Sequence, residues 1–178
     1  RIDHYHQAIA LVVADTLEQA RAAAALIHVQ YETEAGRFDL AAEQASAPLA
    51  GDDARTDTGD FDMAFAAAPV QVDARYTTAD ESHAMMEPHS TLAVWEGEQL
   101  TVWTSTQMVD WCRTDLARTL KMPRNKVRVC SPFIGGGFGG KLFLRADALL
   151  AALGARAAGC PVRVALHRPL IANNTTHR

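Results

Sequence analysis

The sequence predicts a mixed α/β (α+β) fold, because helical and strand patterns alternate along its 178 residues. Four apolar residues share one face of a predicted helix at 108–121: Val109, Cys112, Leu116 and Leu120. Two short apolar runs, 91–95 and 100–103, flank a turn that contains Gly97, which is typical of a β-hairpin. An apolar content of 48% is ample for a core, so the chain can form one domain or two small ones.

The N-terminal part begins with a predicted β–α–β segment. Residues 8–14 form a continuous apolar run, which predicts a buried strand. Thr16 and Gln19 have the spacing of a capping box, so a helix is expected to begin here. The apolar face of that helix is formed by Leu17, Ala20, Ala24 and Ile27. A second strand is predicted at 28–32.

The middle of the chain differs in composition. Residues 41–60 carry few large apolar side chains and are rich in alanine, aspartate, glycine and serine, which predicts a linker or surface loop. Asp60 is placed to cap a short helix that runs to residue 68. Apolar and polar residues then alternate at 70–76, the pattern of a half-buried strand.

A glycine-rich run stands out in the C-terminal half. Five of the six residues at 135–140 are glycine, and they lie between a predicted strand at 126–130 and a predicted helix at 142–158. Glycine allows positive φ and close approach of backbone N–H groups to a ligand, and a helix start adds unpaired donors. The exception, Phe138, needs something to pack against, and a planar cofactor is a good candidate. The run therefore predicts a cradle for an anionic or flat group.

Other interpretations of this run are less well supported. Gly135, Gly137 and Gly140 fit the dinucleotide-binding pattern, but the next predicted strand, 162–166, ends without the acidic residue that binds the ribose. A phosphate-binding loop requires Ser or Thr where Leu142 stands. A turn without a ligand is disfavoured, because each glycine costs roughly 0.5–1 kcal/mol of backbone entropy.

Composition argues against several other classes of protein. A net charge of −4 leaves no basic footprint for nucleic acid, and no apolar run approaches the roughly 20 residues of a membrane span. The sequence has no zinc or iron–sulfur motif, and its three cysteines are expected to pack as small buried residues: Cys112, Cys130 and Cys160. The N-terminus has no signal-peptide character, and a periplasmic or cytoplasmic location stays open.

Residues 83–141 resemble the molybdenum-binding (large) subunit of the xanthine dehydrogenase and aldehyde oxidase family. The matching pieces, in the family's order and spacing, are Met86-Glu87-Pro88-His89, 92–97, 102–107 and 135–141. The ending, 168–178, looks most like bacterial aldehyde oxidoreductases of the periplasmic kind.

The resemblance also implies a domain organisation. The chain is expected to be a fragment of a longer subunit. Residues 1–45 would form the C-terminal part of an α/β hammerhead domain, and 46–60 a linker. Residues 61–178 would form the N-terminal part of a molybdopterin-binding domain.

The same resemblance implies an activity. The whole enzyme is expected to oxidise aldehydes to carboxylic acids with molybdenum on a molybdopterin cofactor, in its cytosine dinucleotide form. Partner subunits would carry a 2Fe-2S centre and FAD, and the segment alone is expected to be inactive. Two alternatives remain: a purine or other N-heterocycle hydroxylase of the same family, and a non-catalytic α/β binding or assembly module.

The resemblance further implies the residues of the site. Five residues would bind the cofactor: Gln107, Gly136, Gly137, Phe138 and Gly139. Gln107 would hydrogen-bond an oxygen ligand of the metal, and Phe138 would exclude water from one side. Leu142 stands where purine-oxidising relatives carry a glutamate, which favours a less polar substrate such as an aldehyde. The family's catalytic base belongs to the far C-terminal half, so no catalytic residue is assigned in this chain.

Two further sets of charged residues have no single interpretation. Lys141 is suited equally to pairing with a cofactor phosphate and to exposure in solvent. The Glu-x-His spacing occurs twice, at Glu81 with His83 and at Glu87 with His89. Structural hydrogen bonding around the hairpin is favoured over a metal site, because nothing else supplies further ligands at a close spacing.

Overall fold

The computed structural model describes residues 1–48, 51, 56 and 58–175. The chain forms two compact units, Arg1–Ile27 with Ala79–Arg178, and His28–Thr78. The predicted linker at 46–60 lies partly outside the described residues, and so do the last three residues of the 168–178 ending. No helix in the described ranges is both long and apolar enough to traverse a bilayer.

The larger unit contains a four-stranded sheet of β1 (Ser90–Glu96), β2 (Gln99–Thr104), β3 (Val127–Cys130) and β4 (Val162–Ala165), in the order β3-β2-β1-β4. β1 and β2 form the predicted antiparallel hairpin, with Gly97 at φ 59° in its turn. β3 runs parallel to β2, and β4 runs antiparallel to β1. The strands predicted at 126–130 and 162–166 are therefore confirmed.

The helices found in the described part of the chain are α1 (Leu17–Ala24), α2 (Leu40–Glu43), α3 (Phe61–Ala67), α4 (Val109–Thr119), α5 (Ala146–Ala158) and α6 (Arg168–Asn173). Side-chain caps begin two of them as predicted. Thr16 Oγ1 accepts from the Gln19 amide at 3.2 Å, and Gln19 Oε1 accepts from the Thr16 amide at 3.3 Å. Asp60 Oδ1 accepts from the Met63 amide at 3.0 Å.

The core of the larger unit lies between the sheet and two helices. Its buried apolar side chains come from the sheet, from α4 and from α5, and include Ala93, Leu100, Val102, Cys112, Leu116, Ala151 and Ala155. The indole nitrogen of Trp95 donates to the Ala152 carbonyl at 2.8 Å, which ties β1 to α5. Gly159 ends α5 in the left-handed conformation, φ 66°.

Parallel pairing of β2 and β3 positions the candidate site. Because two parallel strands point the same way, the segments that follow them leave the same edge of the sheet. After β2 comes Ser105 to Gln107, and after β3 comes the glycine-rich run. The Thr106 amide donates to Ser131 Oγ at 3.1 Å, which joins the two segments.

Three predicted strands are wrong. Residues 8–14, 28–32 and 70–76 pair with no other strand in the described residues, and Val70 is 80% exposed. A strand needs a neighbour to bond its backbone, and local patterning does not supply one. In the larger unit, Leu11 and Val13 instead lie against α5 near Gly154.

The helix predicted at 142–158 begins later, at Ala146. Residues 139–142 form turns instead, because the Gly140 and Leu142 amides donate to Gly137 and Gly139. The start of α5 is therefore separated from the glycines by several residues. Two smaller predictions also need correction: Val109 on α4 is partly exposed, and Cys160 is exposed whereas Cys112 is buried.

Candidate functional site

Residues 135–140, here called the glycine loop, have a backbone that few other sequences can adopt. Gly136, Phe138 and Gly139 have φ of 91°, 51° and 93°, in the left-handed region that disfavours side chains. Gly137 is required by space instead, because a Cβ there would lie 2.4 Å from Gln107 Oε1. At Gly140 a Cβ would lie 2.5 Å from Met85 Cε.

The structure brings Gln107 against this loop. Its side-chain carboxamide oxygen accepts from the backbone amides of Gly139 at 3.0 Å and Lys141 at 3.3 Å. The backbone amide of Gln107 donates to the Lys141 carbonyl at 2.9 Å. With the oxygen held on the loop, the amide nitrogen of the side chain keeps both of its protons for another partner. Gln107 thus presents a hydrogen-bond donor beside the glycines.

Glu87 organises the start of the loop. Its Oε2 accepts from Lys141 Nζ at 2.6 Å, Ser105 Oγ at 2.6 Å and the Gly135 amide at 2.7 Å. Burial opposes ionisation of the carboxyl, but the bonds from Lys141, Ser105 and Gly135 outweigh it and lower the pKa of Glu87 to about 2. Glu87 is therefore an anion at neutral pH.

The Lys141 side chain is 0% exposed. Since its ammonium group is bound to Glu87 and Ser105, it is not the solvated residue that one sequence interpretation allowed, and its charge is already compensated. No local sequence pattern predicts this contact, because Glu87 and Lys141 are 54 residues apart.

Two side chains hold the end of the loop at the Gly140 carbonyl. Arg145 Nε donates to this oxygen at 2.8 Å, and His89 Nε2 lies 3.3 Å from it. Burial, assisted by the charge of Lys141, lowers the pKa of His89 to about 4. His89 is therefore neutral at pH 7 and carries its proton on Nε2, because a carbonyl oxygen only accepts.

His83 also borders the loop. A Cβ on Gly139 would lie 3.2 Å from His83 Nε2. Within the ranges that the structure describes, no three His, Cys, Asp or Glu side chains are grouped so as to bind a metal ion. His89 makes a structural hydrogen bond to the Gly140 carbonyl, as the sequence predicted.

The middle of the loop carries donors without protein acceptors. In the described part of the chain, the amides of Gly136, Gly137 and Phe138 donate to no protein atom, although Gly137 is buried. A buried N–H group is normally paired, so the Gly137 amide suits an anionic ligand, and the Gly136 and Phe138 amides lie beside it. The Phe138 ring is 75% exposed and lies close to Gly136, where a Cβ would be 3.1 Å from Phe138 Cε2.

Leu142 lies next to this donor surface. It is half-buried, and its Cδ1 would be 4.0 Å from a Cβ placed on Gly139. Its neighbour Phe143 stacks on Trp111 with ring centroids 5.9 Å apart. Gly139 is therefore bordered both by the apolar Leu142 side chain and by the His83 imidazole.

The proteins of known sequence that resemble this chain include molybdenum-binding subunits. The chain is 62% identical over 178 residues to the aldehyde oxidoreductase molybdenum-binding subunit PaoC of Escherichia coli O157:H7, which covers 99% of this chain and 24% of that protein. It is 31% identical over 186 aligned positions to the putative xanthine dehydrogenase molybdenum-binding subunit XdhA of Escherichia coli K12, covering 99% of this chain and 25% of that one. The chain thus spans about a quarter of the length of these relatives.

A solved structure agrees in fold. Quinoline 2-oxidoreductase from Pseudomonas putida 86 superposes with a TM-score of 0.76 and 30% identity, over 92% of this chain and 22% of that one. The predicted α/β fold and the predicted resemblance to molybdenum-binding subunits are confirmed. Because the model of the molybdopterin cofactor-binding domain matches residues 43–178, more than half of the sequence, the chain belongs to that family.

Proposed function

We propose that this chain is part of a molybdenum hydroxylase subunit that oxidises aldehydes to carboxylic acids. The observation that carries the proposal is the contact between the Gln107 carboxamide and the glycine loop, in a chain 62% identical to an aldehyde oxidoreductase subunit. The Gln107 carboxamide and the loop amides provide a row of hydrogen-bond donors next to the apolar Leu142 side chain.

The residues present fit a molybdopterin cofactor. The amides of Gly136, Gly137 and Phe138 have no protein acceptor in the described residues and can donate to its anionic groups. The Phe138 ring would cover one side of the cofactor, Gly139 would permit its close approach, and the Gln107 side chain would donate to an oxygen ligand of its metal. When bound, the cofactor supplies the two-electron oxidation of the substrate. This chain binds it, orients it and excludes water from it.

Leu142 supports an aldehyde over a purine. The Leu142 side chain itself offers no partner for ring nitrogens, although the His83 imidazole also borders Gly139, and a buried polar group without a partner costs free energy. The alternative, a purine or other N-heterocycle hydroxylase, draws on the similarity to XdhA and to quinoline 2-oxidoreductase.

The remaining parts of the enzyme belong to the same proposal. They are the cytosine dinucleotide form of the cofactor, the rest of the large subunit, an iron–sulfur subunit with a 2Fe-2S centre and an FAD subunit. The domain limits 1–45, 46–60 and 61–178 also remain proposals, as does a periplasmic or cytoplasmic location. No catalytic base is proposed within this chain. Glu87 is unsuited to that role, because its pKa is lowered to about 2 and its Oε2 already accepts three bonds.

Gly137→Ala in the full-length subunit, purified with its partners, tests the proposal. The new methyl group would overlap Gln107 Oε1, so we expect loss of most of the molybdenum and pterin, and of aldehyde oxidation with them. Gly97→Ala in the hairpin turn is the control: it strains a backbone at φ 59° but meets nothing within 4 Å, so it lowers stability away from the loop and should keep its molybdenum.

Three outcomes separate the candidates. Loaded wild-type enzyme that oxidises benzaldehyde but not hypoxanthine supports the proposal. The reverse preference supports the purine alternative. Full molybdenum content and activity in Gly137→Ala would contradict the cradle and favour a non-catalytic binding or assembly module.

A further inference from the structure

We propose that Glu87 and Lys141 form an internal ion pair that joins the two ends of the glycine loop, and that Glu87 is thereby a positioning residue for the cofactor. The inference rests on the proposed function, because it concerns how the loop is kept ready for that ligand.

Glu87 is attached to the first residue of the loop by two hydrogen bonds. The Gly135 amide donates to Glu87 Oε2 at 2.7 Å, and the Glu87 amide donates to the Gly135 carbonyl at 3.1 Å. The approach is close, since a Cβ on Gly135 would lie 2.5 Å from Glu87 Cβ. The start of the loop is therefore fixed to the segment that precedes β1.

Lys141 attaches the other end to the same carboxylate. Its Nζ donates to Glu87 Oε2 at 2.6 Å and to Ser105 Oγ at 3.1 Å. Its carbonyl accepts from the Gln107 amide at 2.9 Å and from Thr106 Oγ1 at 3.1 Å. One oxygen atom thus connects the residue that opens the loop with the residue that follows it.

Burial makes this pair different from an ordinary surface ion pair. The Lys141 side chain is fully buried, so removing Glu87 would leave its ammonium charge without solvent or a counter-ion, which is strongly destabilising. The pair Lys126–Glu98 is the natural comparison, because its atoms are 3.8 Å apart and Glu98 is 86% exposed. Since the Lys141 charge is neutralised by Glu87, Lys141 is not available to bind an anionic ligand. The loop amides and Gln107 are then the groups that bind it.

The test uses the full-length subunit with its partners and measures molybdenum and pterin content, and the rate of pterin release after dilution. We expect Glu87→Gln and Lys141→Met each to release pterin about 10-fold faster or more, because the first leaves the buried Lys141 ammonium without a counter-ion and the second removes the donor that joins Glu87, itself 38% exposed, to the end of the loop. The double variant should release more slowly than either single variant, since it leaves no unpaired buried charge. Glu98→Gln and Lys126→Met should match the wild type.

Two further variants separate positioning from general stability. Leu116→Ala, in the core at α4, lowers Tm without touching the loop and should release pterin at the wild-type rate below its Tm. Ser105→Ala removes one donor to the same oxygen and should accelerate release by less than the single charge variants, which keeps the test valid if those fail to fold.

Each result decides the matter. Wild-type release rates in Glu87→Gln and Lys141→Met would overturn the positioning role, and so would a wild-type rate in Ser105→Ala if the first two variants do not fold. The role would also be overturned if Leu116→Ala, at the same loss in Tm, released pterin as fast as the charge variants. A loaded wild-type subunit with unaffected variants would leave the proposed function intact. A wild-type subunit that contains no molybdenum and no pterin would overturn both proposals.

Discussion

The side-chain oxygen of Gln107 accepts a hydrogen bond at 3.0 Å from the backbone nitrogen of Gly139, 32 residues further along the chain. The bond orients the carboxamide, so that its nitrogen is the group presented to a ligand. Gln107, which follows β2, is in this way hydrogen-bonded to the glycine loop.

Gln107→Glu separates these two roles. Glutamate keeps an oxygen for the Gly139 and Lys141 amides but replaces the donor nitrogen with a second anionic oxygen. We expect aldehyde turnover per bound molybdenum to fall by about 10- to 100-fold, as for loss of a hydrogen bond to a charged group. Steady-state kinetics normalised to molybdenum measures it, with the exposed Gln30→Glu as control. Unchanged turnover would mean that the Gln107 nitrogen contacts nothing in the reaction.

Phe138→Gly is expected to lower cofactor retention without lowering the stability of the fold. Phe138 has φ 51°, a conformation that costs a side-chain-bearing residue about 1 kcal/mol, and its ring is mostly exposed. Glycine relieves that cost, so we expect the free energy of unfolding to stay the same or rise by up to about 1 kcal/mol. Molybdenum and pterin content should nevertheless fall, because the covering ring is gone.

Lys121→Gly is the matched control for this variant. Lys121 follows α4 at φ 53°, where glycine is commonly found, so the same gain in stability is expected without any loss of cofactor. Chemical denaturation and metal analysis of both variants provide the comparison. Full cofactor content in Phe138→Gly would show that the ring does not cover the ligand.

His89 is expected to destabilise the fold as the pH falls. Its pKa is about 4 when folded and 6.5 ordinarily, so the unfolded chain binds a proton in this interval and the folded chain does not. The stability is present above pH 6.5 and is lost as the pH falls through 4, by about 3 kcal/mol in total. His89→Gln keeps a donor for Gly140 and should flatten this part of the profile, whereas the exposed His4→Gln should not. Denaturation midpoints between pH 7 and 4 decide it.

Asp147 should act in the opposite direction. Burial raises the pKa of this carboxyl, while the Thr91 hydroxyl, 2.6 Å from Oδ2, opposes the rise. The folded chain then holds a proton that the unfolded chain releases, so this group's contribution to stability declines as the pH rises above about 4. We expect the stability of Asp147→Asn relative to wild type to improve with rising pH, and that of the exposed Asp110→Asn not to. A parallel pair of profiles for Asp147→Asn and wild type would contradict the buried-charge account.

The elements that sequence alone predicts correctly are those with local signals. The β1–β2 hairpin follows from two apolar runs around Gly97, and α1 follows from the Thr16–Gln19 capping box. Residues 8–14 have an equally clear apolar pattern, yet they form no strand, because pairing depends on a partner that the pattern does not contain.

The site shows the same limit. Five glycines in six residues predict a ligand cradle by their chemistry, and the resemblance to a family adds Gln107 to it. Neither source predicts the burial of Lys141 or its bond to Glu87, because a contact across 54 residues leaves no periodic trace. The delayed start of α5 has a related cause: the hydrogen bonds of Gly140 and Leu142 within the turns outweigh helix propensity at 142–145.

Apart from Asp147, the buried residues of α5 are small, namely Ala148, Ala151, Ala152, Gly154 and Ala155. Even one methyl group on Gly154 would come within 2.9 Å of Leu11 and 3.3 Å of Val162. Exchanges on this side of the helix are therefore confined to the smallest amino acids. Selection for a new substrate is expected to act through Leu142, the proposed substrate contact, and an engineer who wishes to alter specificity should vary this side chain and leave the helix behind it as it is.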